Sequence, residues 1–259
     1  MREFLGFGGY TRPAEGFLSW QHLSFVSSLM IIMVGLALIL GRKYGKLSSS
    51  DKNRVLVVTA LLIDGLELFK ILILCLRSES FSPCLGNLPL FLCSIQLITI
   101  PLAAFSKGRI REAALDFVCI FGLLGAVLGT YGAAQNYGCY PVLSLDNVVS
   151  GLTHSISGFA ALYIFSAGMA SMKKHNIGIT FGILGLFCVL AYGFNLLLDT
   201  NYMFLMRTDG TPYEILYHLV GGNPIAYPLC VVGLFLVYIS IFYLLYFLVK
   251  RSKSQAAAV

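Results

Sequence analysis

Charged side chains are scarce in this sequence. Asp, Glu, Lys and Arg make up only 12% of its 259 residues, whereas hydrophobic residues make up 58%. Soluble domains carry about 25% charged residues, so this scarcity excludes an ordinary soluble protein. The mean hydropathy of +0.82 indicates a chain that lies largely in lipid. The formal net charge of +6 is therefore interpreted as a signal of membrane topology, and we expect no nucleic-acid partner.

Closely spaced cysteine pairs are also missing. None of the seven cysteines stands in a CxxC pair, which excludes the commonest zinc-binding and dithiol redox motifs. Cys84 and Cys139 fall in predicted outer connections, where a disulfide between them is one option if the outside is oxidising. We expect no metal and no cofactor.

Long apolar runs are abundant, and they predict an all-α polytopic membrane protein. One span takes about 20 apolar residues, so the chain has room for about seven spans joined by short loops. We expect residues 1–259 to form a single seven-helix transmembrane domain. The predicted spans are Trp20–Leu40, Val55–Leu76, Leu88–Phe105, Ala113–Tyr131, Val148–Ala170, Ile177–Leu197 and Tyr227–Val249.

The basic residues predict the orientation of these spans. Of the eighteen lysines and arginines, thirteen fall in the first, third and fifth connections or in the C-terminal tail. Four lie on the opposite side, and Lys70 lies inside the second span. Cytoplasmic loops carry the excess of basic residues, so we expect the N-terminus outside and the C-terminus in the cytoplasm.

Two predicted spans carry stripes of glycine at helical spacing. Such residues let helix backbones approach closely in lipid, so both stripes predict close helix packing. The glycines are Gly122, Gly125, Gly129 and Gly132 on the fourth span and Gly178, Gly182 and Gly185 on the sixth.

The stretch NLPLFLCSIQLITIP opens the third predicted span. Asn87 is a suitable N-cap, and Pro89 would fall in the first turn, where a missing N–H costs little. Cys93 and Gln96 would then lie three residues apart on one face of an apolar helix.

The second predicted span carries three ionisable residues, Asp64, Glu67 and Lys70. Each costs about 2.5–3.5 kcal/mol near the bilayer centre, so the three are not expected to face lipid. Glu67 and Lys70 have the spacing of a direct ion pair. The group indicates either a hydrogen-bond network between helices or a water-filled polar cavity.

Several of these polar residues share one depth. At about 1.5 Å per helical residue, Cys93, His154 and Lys70 each lie roughly 9 Å below the outer surface. Asn195 and Asn201 lie at or beyond the outer end of the sixth span, where they could close a pocket from above. We therefore predict substrate-binding roles for Asp64, Lys70, Gln96, Asn195 and Asn201.

A thiol beside an imidazole predicts nucleophilic catalysis. The histidine can take the proton of the thiol, and a carboxylate can orient the histidine. We assign Cys93 as the nucleophile, His154 as the base and Glu67 or Asp64 as the orienting group. In this lipid layer the available chemistry is acyl transfer through a thioester, with Gln96 and Lys70 stabilising the oxyanion.

Two short motifs carry a family resemblance. Leu88–Ser94 (LPLFLCS) and Asn201–Leu205 (NYMFL) resemble signatures of the YwaF-like and transmembrane protein 164 family of integral membrane acyltransferases. The resemblance implies acyl transfer between glycerolipids through Cys93, with membrane lipids as partners, in a bacterial cell membrane. Relatives often carry histidine two residues before this cysteine, where this chain has Phe91. If that histidine is the usual base, His154 must replace it or the activity is absent.

Two functions of other classes compete with the enzyme. A proton- or ion-coupled transporter would use the charges of the second span, although no inverted repeat is evident. A receptor or scaffold ranks last, because the predicted cytoplasmic loops are short and offer little surface. We therefore expect no protein partner.

Overall fold

The computed structural model describes residues 1–170 and 172–256, and no strand occurs within those ranges. The α-helices of this part are α1 (Arg2–Leu5), α2 (Trp20–Tyr44), α3 (Ser49–Ser78), α4 (Ser82–Gly86), α5 (Gln96–Phe105), α6 (Gly108–Tyr131), α7 (Ala134–Cys139), α8 (Leu145–Ser166), α9 (Ile177–Leu198), α10 (Glu214–Leu219) and α11 (Ala226–Ala256). The all-α class predicted from composition is confirmed.

The chain divides into two units, Met1–Ser171 and Met172–Val259. The first contains α1 to α8, and the second contains α9 to α11. In the second unit, the hydroxyl groups of Thr180 on α9 and Tyr243 on α11 lie 3.1 Å apart and link these two helices.

Serine side chains set the starts of the long helices in the first unit. The hydroxyl oxygens of Ser19, Ser48 and Ser144 each accept a first-turn backbone N–H, at the starts of α2, α3 and α8. Such caps satisfy N–H groups that have no partner inside the helix.

Helix α6 forms the centre of the first unit. Every residue from Ala113 to Gly122 is buried, and such a run covers all faces of a helix with 3.6 residues per turn. It packs against α5 and α8, while α8 also packs against α2 and α3. Helices α6 and α8 therefore position the other helices of this unit.

Five helices of the described chain are long and apolar enough to cross a membrane, namely α2, α6 with its extension to Cys139, α8, α9 and α11. Helix α3 is long but carries Asp64, Glu67 and Lys70, and α5 has only ten residues. These two helices account for the difference from the seven predicted spans.

The third predicted span differs most from expectation. Its helix begins at Gln96, and residues 88–95 form turns instead. Asn87, the expected N-cap, follows the end of α4. The hydroxyl oxygen of Ser94 accepts the N–H of Phe91 at 3.0 Å and also donates to its carbonyl oxygen at 3.1 Å. Ser94 thus closes a local turn that competes with the helix.

All seven cysteines are free thiols, including Cys84 and Cys139. The disulfide considered from their predicted loop positions is therefore absent from this structure.

Candidate active site

Cys93 lies in the turn that precedes α5, three residues before the helix begins at Gln96. The residue is half-buried. Its sulfur lies close to the backbone N–H groups of Cys93 and Ser94. Unpaired N–H groups at a helix N-terminus favour negative charge, so this position suits a thiolate.

The side chain of Cys93 and that of His154 on α8 line the same cavity and interact with each other. The Nδ1 atom of the same ring lies 2.7 Å from the backbone carbonyl oxygen of Ser150, one turn earlier. A carbonyl oxygen only accepts, so Nδ1 carries a proton and donates it. In the neutral ring Nε2 is then a free acceptor, which is the form required of a base toward a thiol.

Two glycines of α6 make room for this pair. A Cβ added at Gly129 would overlap the Cδ2 and Nε2 atoms of His154, and one added at Gly125 would lie 3.4 Å from the Cβ of Cys93. The stripe predicted from sequence to pack helices also makes room for the thiol and the imidazole.

The pair lines a cavity of about 130 Å³ between α3, the turn before α5, and α8. Glu67 and Lys70 of α3 line the same cavity, as do Phe91 and Ser150. The Lys70 Nζ and Glu67 Oε1 atoms lie 2.6 Å apart, with side chains only 14% and 12% exposed. The cavity therefore combines a thiol, an imidazole and a largely buried ion pair.

The sequence pattern of the TMEM164 family matches residues 17–247, which include every residue that lines the cavity. The chain belongs to the TMEM164 family. A comparison with curated proteins and one with solved structures found no match. The resemblance stated from two short motifs is thus confirmed at the level of the family.

In this TMEM164 family member, Glu67 is not the group that holds His154. The carboxylate is paired with Lys70, and the Ser150 carbonyl oxygen accepts the hydrogen bond from Nδ1 of the imidazole. A residue one turn earlier on the same helix lies within reach of the ring without any tertiary contact. The Ser150 carbonyl was missed because every residue carries one, so it leaves no mark in the sequence.

Asp64 and Gln96 are not among the residues that line the cavity. The Oδ1 atom of Asp64 is buried and has no hydrogen-bond partner among the described residues. Gln96 is fully buried, and its Oε1 accepts a hydrogen bond of 3.0 Å from the hydroxyl of Thr99. The Nε2 atom of Gln96 is buried and has no hydrogen-bond partner among the described residues, so the N–H groups of this amide are unused donors.

Asn195 and Asn201 belong to the second unit, where both amides hold the loop that follows α9. Asn195 donates to the carbonyl oxygen of Tyr202 at 3.0 Å and accepts its N–H at 2.6 Å. Asn201 accepts the N–H groups of Met206 and Arg207 and donates to Asp209. Both amides therefore stabilise the loop that follows α9.

One polar cluster of the first unit was not predicted. Arg77 near the end of α3 makes paired hydrogen bonds to Asp146 in the first turn of α8, at 2.9 and 3.0 Å. The hydroxyl of Tyr10 donates to Asp146 at 2.5 Å and accepts from Arg77 at 3.0 Å. Burial and the Asp146 hydrogen bond raise the pKa of Tyr10 to about 12. The cluster joins two cavity-forming helices to the N-terminal segment.

No group of three or more His, Cys, Asp or Glu side chains is arranged to hold a metal ion in residues 1–170 and 172–256. The cavity presents a thiol and an imidazole, the two groups that nucleophilic catalysis by a cysteine uses.

Proposed function

We propose that this protein is a membrane-embedded glycerophospholipid acyltransferase that forms a thioester on Cys93. The observation that carries the proposal is that the Cys93 thiol and the His154 imidazole lie together at the wall of one cavity, against Gly125 and Gly129 of α6. A nucleophile and a base within hydrogen-bond reach, with the base held by a third group, form the usual arrangement for covalent catalysis.

In the first step, Nε2 of His154 takes the thiol proton and the Cys93 sulfur attacks the ester carbonyl carbon of a donor lipid. The bond from that carbon to the glycerol oxygen then breaks. The released alkoxide receives the proton from His154, which leaves a lysolipid and an acyl group on the sulfur.

In the second step, His154 takes the proton of an acceptor lipid hydroxyl. The oxygen attacks the thioester carbonyl, the carbon–sulfur bond breaks, and the thiolate recovers the proton. Because the ester consumed and the ester formed are alike, the cycle needs no added energy source. Dividing the transfer in this way replaces one difficult displacement by two easier ones.

The negative oxygen of each tetrahedral intermediate needs donors close to Cys93. The N–H groups of Cys93 and Ser94 are the nearest backbone candidates because both lie close to the sulfur. Removing one such donor from an oxyanion hole typically costs about 10²–10³ in kcat. The amide of Gln96 and the ammonium of Lys70 are the side-chain candidates for the same task.

His154 takes the place of the histidine that the resemblance led us to look for at position 91. Phe91 lines the cavity beside the pair, where its ring would contact apolar parts of a lipid. Acyl chains are apolar, so a phenyl wall next to the thiol favours a lipid substrate over a polar one.

We propose a single domain of seven membrane-spanning helices, counting α3 and α5, with an external N-terminus in a bacterial cell membrane. The three ionisable residues of α3 then belong to the cavity and its surroundings and do not face lipid. Membrane-impermeant labelling of single cysteines placed in the loop before α2, the loop after α3 and the loop after α8 tests this topology. The first two loops lie on the same side only if α3 crosses the membrane, and the third lies opposite the second only if α5 crosses it. Equal labelling of all three loops, or unequal labelling of the first two, would overturn it.

The thioester is tested by incubating the full chain in vesicles with a glycerophospholipid that carries a labelled acyl chain. We expect hydroxylamine-labile label on wild-type protein and none on Cys93→Ala, with lipid product lost as well. Cys75→Ala is the matched control, because this half-buried thiol lies on α3 and outside the cavity lining. Acyl transfer that persists in Cys93→Ala would contradict the mechanism.

A second candidate function is ion- or proton-coupled transport. It is favoured by the buried Oδ1 atom of Asp64, which has no hydrogen-bond partner among the described residues, on the helix that also carries Glu67 and Lys70. Solute uptake by vesicles that survives Cys93→Ala but is lost in Glu67→Gln would favour the transporter over the enzyme.

A further inference from the structure

A second cavity of the first unit lies between α2 and α3 and has α8 as its floor. Its volume is about 430 Å³, within the range of small-molecule sites, about 300–1,000 Å³. Most of its lining is aliphatic or aromatic, as in Leu36, Val58, Leu62, Ile156 and Phe159. We call this cavity the α2–α3 groove.

The α2–α3 groove and the Cys93 cavity are both lined by α3 and α8, but by different faces of these helices. On α8 the groove takes Leu152, Ile156 and Phe159, whereas the cavity takes Ser150 and His154. Residues three or four apart share a helix face, so each set forms its own stripe. Occupation of the groove is therefore independent of the acyltransferase proposed above.

The groove is long enough to cover the depth of one leaflet of a bilayer. Its lining runs along α2 from Leu29 to Tyr44, which is about 22 Å of helix. The hydrocarbon core of a bilayer is about 30 Å thick, so one leaflet provides about 15 Å. An extended acyl chain that enters at one end would be covered by protein over the depth of a leaflet.

The end of the groove near the α2–α3 loop is basic. Arg54 lines it, and this side chain is 77% exposed at 3.4 Å from Asp51. An exposed ion pair of this kind contributes little, so the guanidinium is free to bind a stronger anion. Four further basic residues stand close by in the chain, namely Arg42, Lys43, Lys46 and Lys52.

We propose that the α2–α3 groove binds one acyl chain of an anionic glycerophospholipid whose phosphate contacts Arg54. Apolar contact alone selects no lipid inside a bilayer, because neighbouring acyl chains offer the same surroundings. Selectivity comes from the basic end, where each arginine or lysine near the surface attracts anionic lipid.

The proposal is tested with the full chain in phosphatidylcholine vesicles that contain a photoactivatable acyl chain on either phosphatidylglycerol or phosphatidylcholine. After irradiation, labelled peptides are identified by mass spectrometry. We expect the anionic probe to label the lining of α2, α3 and α8 about fivefold more than the zwitterionic probe, the preference that one arginine supplies. Arg54→Gln removes this preference, whereas Arg109→Gln, which changes an exposed arginine outside the lining, keeps it.

Leu62→Trp fills the groove and is expected to abolish labelling of its lining. Leu61→Trp is the matched control, because Leu61 is an exposed neighbour on α3 that does not line the groove. Equal labelling by the two probes, or labelling that survives Leu62→Trp, would overturn the proposal. If Leu62→Trp does not yield folded protein, the exposed Arg54→Gln variant alone decides the outcome.

Discussion

The glycine stripes of α6 and α9 have nearly the same spacing but different surroundings. On α6, a Cβ added at Gly122, Gly125 or Gly129 would meet Ser157, Cys93 or His154. On α9, a Cβ added at any of Gly178, Gly182 and Gly185 finds no atom of the described residues within 4 Å. The close packing expected of both stripes is therefore found on α6 alone.

This difference shows what a stripe of small residues does. It permits close approach without supplying a partner, because helices in lipid gain no hydrophobic energy from association. In an apolar 18-residue segment of the span that contains α6, 67% of the residues are buried, against 28% in the corresponding segment of the span that contains α9. The α6 stripe thus lies in a closely packed region that includes Cys93 and His154. Glycine-to-alanine substitutions along the two stripes test this difference in packing.

The largest effect is expected at Gly129→Ala. The added methyl group would overlap the His154 ring, which must turn away from the thiol. A displacement of about 1 Å at reacting groups can cost about 10²-fold in rate, so we expect a loss of that size in acyl transfer. Transfer rates and thermal unfolding are measured on the same protein, and activity within twofold of wild type would contradict the arrangement of the pair.

The next effect is expected at Gly122→Ala, and it acts on stability. The added Cβ would lie 2.8 Å from the backbone carbonyl oxygen of Ser157, so α6 and α8 must move apart. Overpacking of this kind costs about 1–3 kcal/mol in the free energy of unfolding. Denaturation in detergent measures it, and an unchanged unfolding midpoint would indicate that the two helices are not in close contact here.

A smaller effect is expected at Gly125→Ala, whose added Cβ would lie 3.4 Å from the Cβ of Cys93. This is nearly an ordinary contact, so we expect a loss below about 1 kcal/mol of transition-state stabilisation, or less than about fivefold in kcat. Steady-state kinetics distinguish this change from the larger one at Gly129. A loss equal to that of Gly129→Ala would place the thiol closer to α6 than the structure does.

The smallest effect is expected at Gly182→Ala on α9, and it has the opposite sign. With no neighbour in the way, alanine should stabilise the helix by about 0.5–1 kcal/mol. Acyl transfer should stay unchanged. Clear destabilisation would mean that a partner packs on this stripe in the membrane.

The position of Cys93 illustrates how far sequence reasoning reached. Depth counting along predicted helices brought the thiol, His154 and Lys70 to one layer, and all three line one cavity in the structure. The count treated residues 88–95 as helical, although the helix begins only at Gln96. The interaction of Ser94 with Phe91 replaces that helical turn, and a local competition of this kind is not resolved by apolar periodicity.

The partners of the charged and polar residues were harder to predict. Glu67 and Lys70 pair as their spacing suggested, since both lie on one helix. The group that holds His154 is a backbone carbonyl, and the cluster of Arg77, Asp146 and Tyr10 joins segments far apart in the chain. Neither has a signature in local sequence, so neither could be expected from it.

By itself, the sequence determined the membrane class, the all-α architecture, the approximate positions of the long helices and the family. These properties depend on composition and helical periodicity, which are local. Only the tertiary structure decided which glycine stripe is packed, where α5 begins, and which group of α8 accepts the hydrogen bond from His154. Those outcomes depend on contacts between distant segments, because small residues and unpaired polar atoms acquire a role only when a particular neighbour is brought against them.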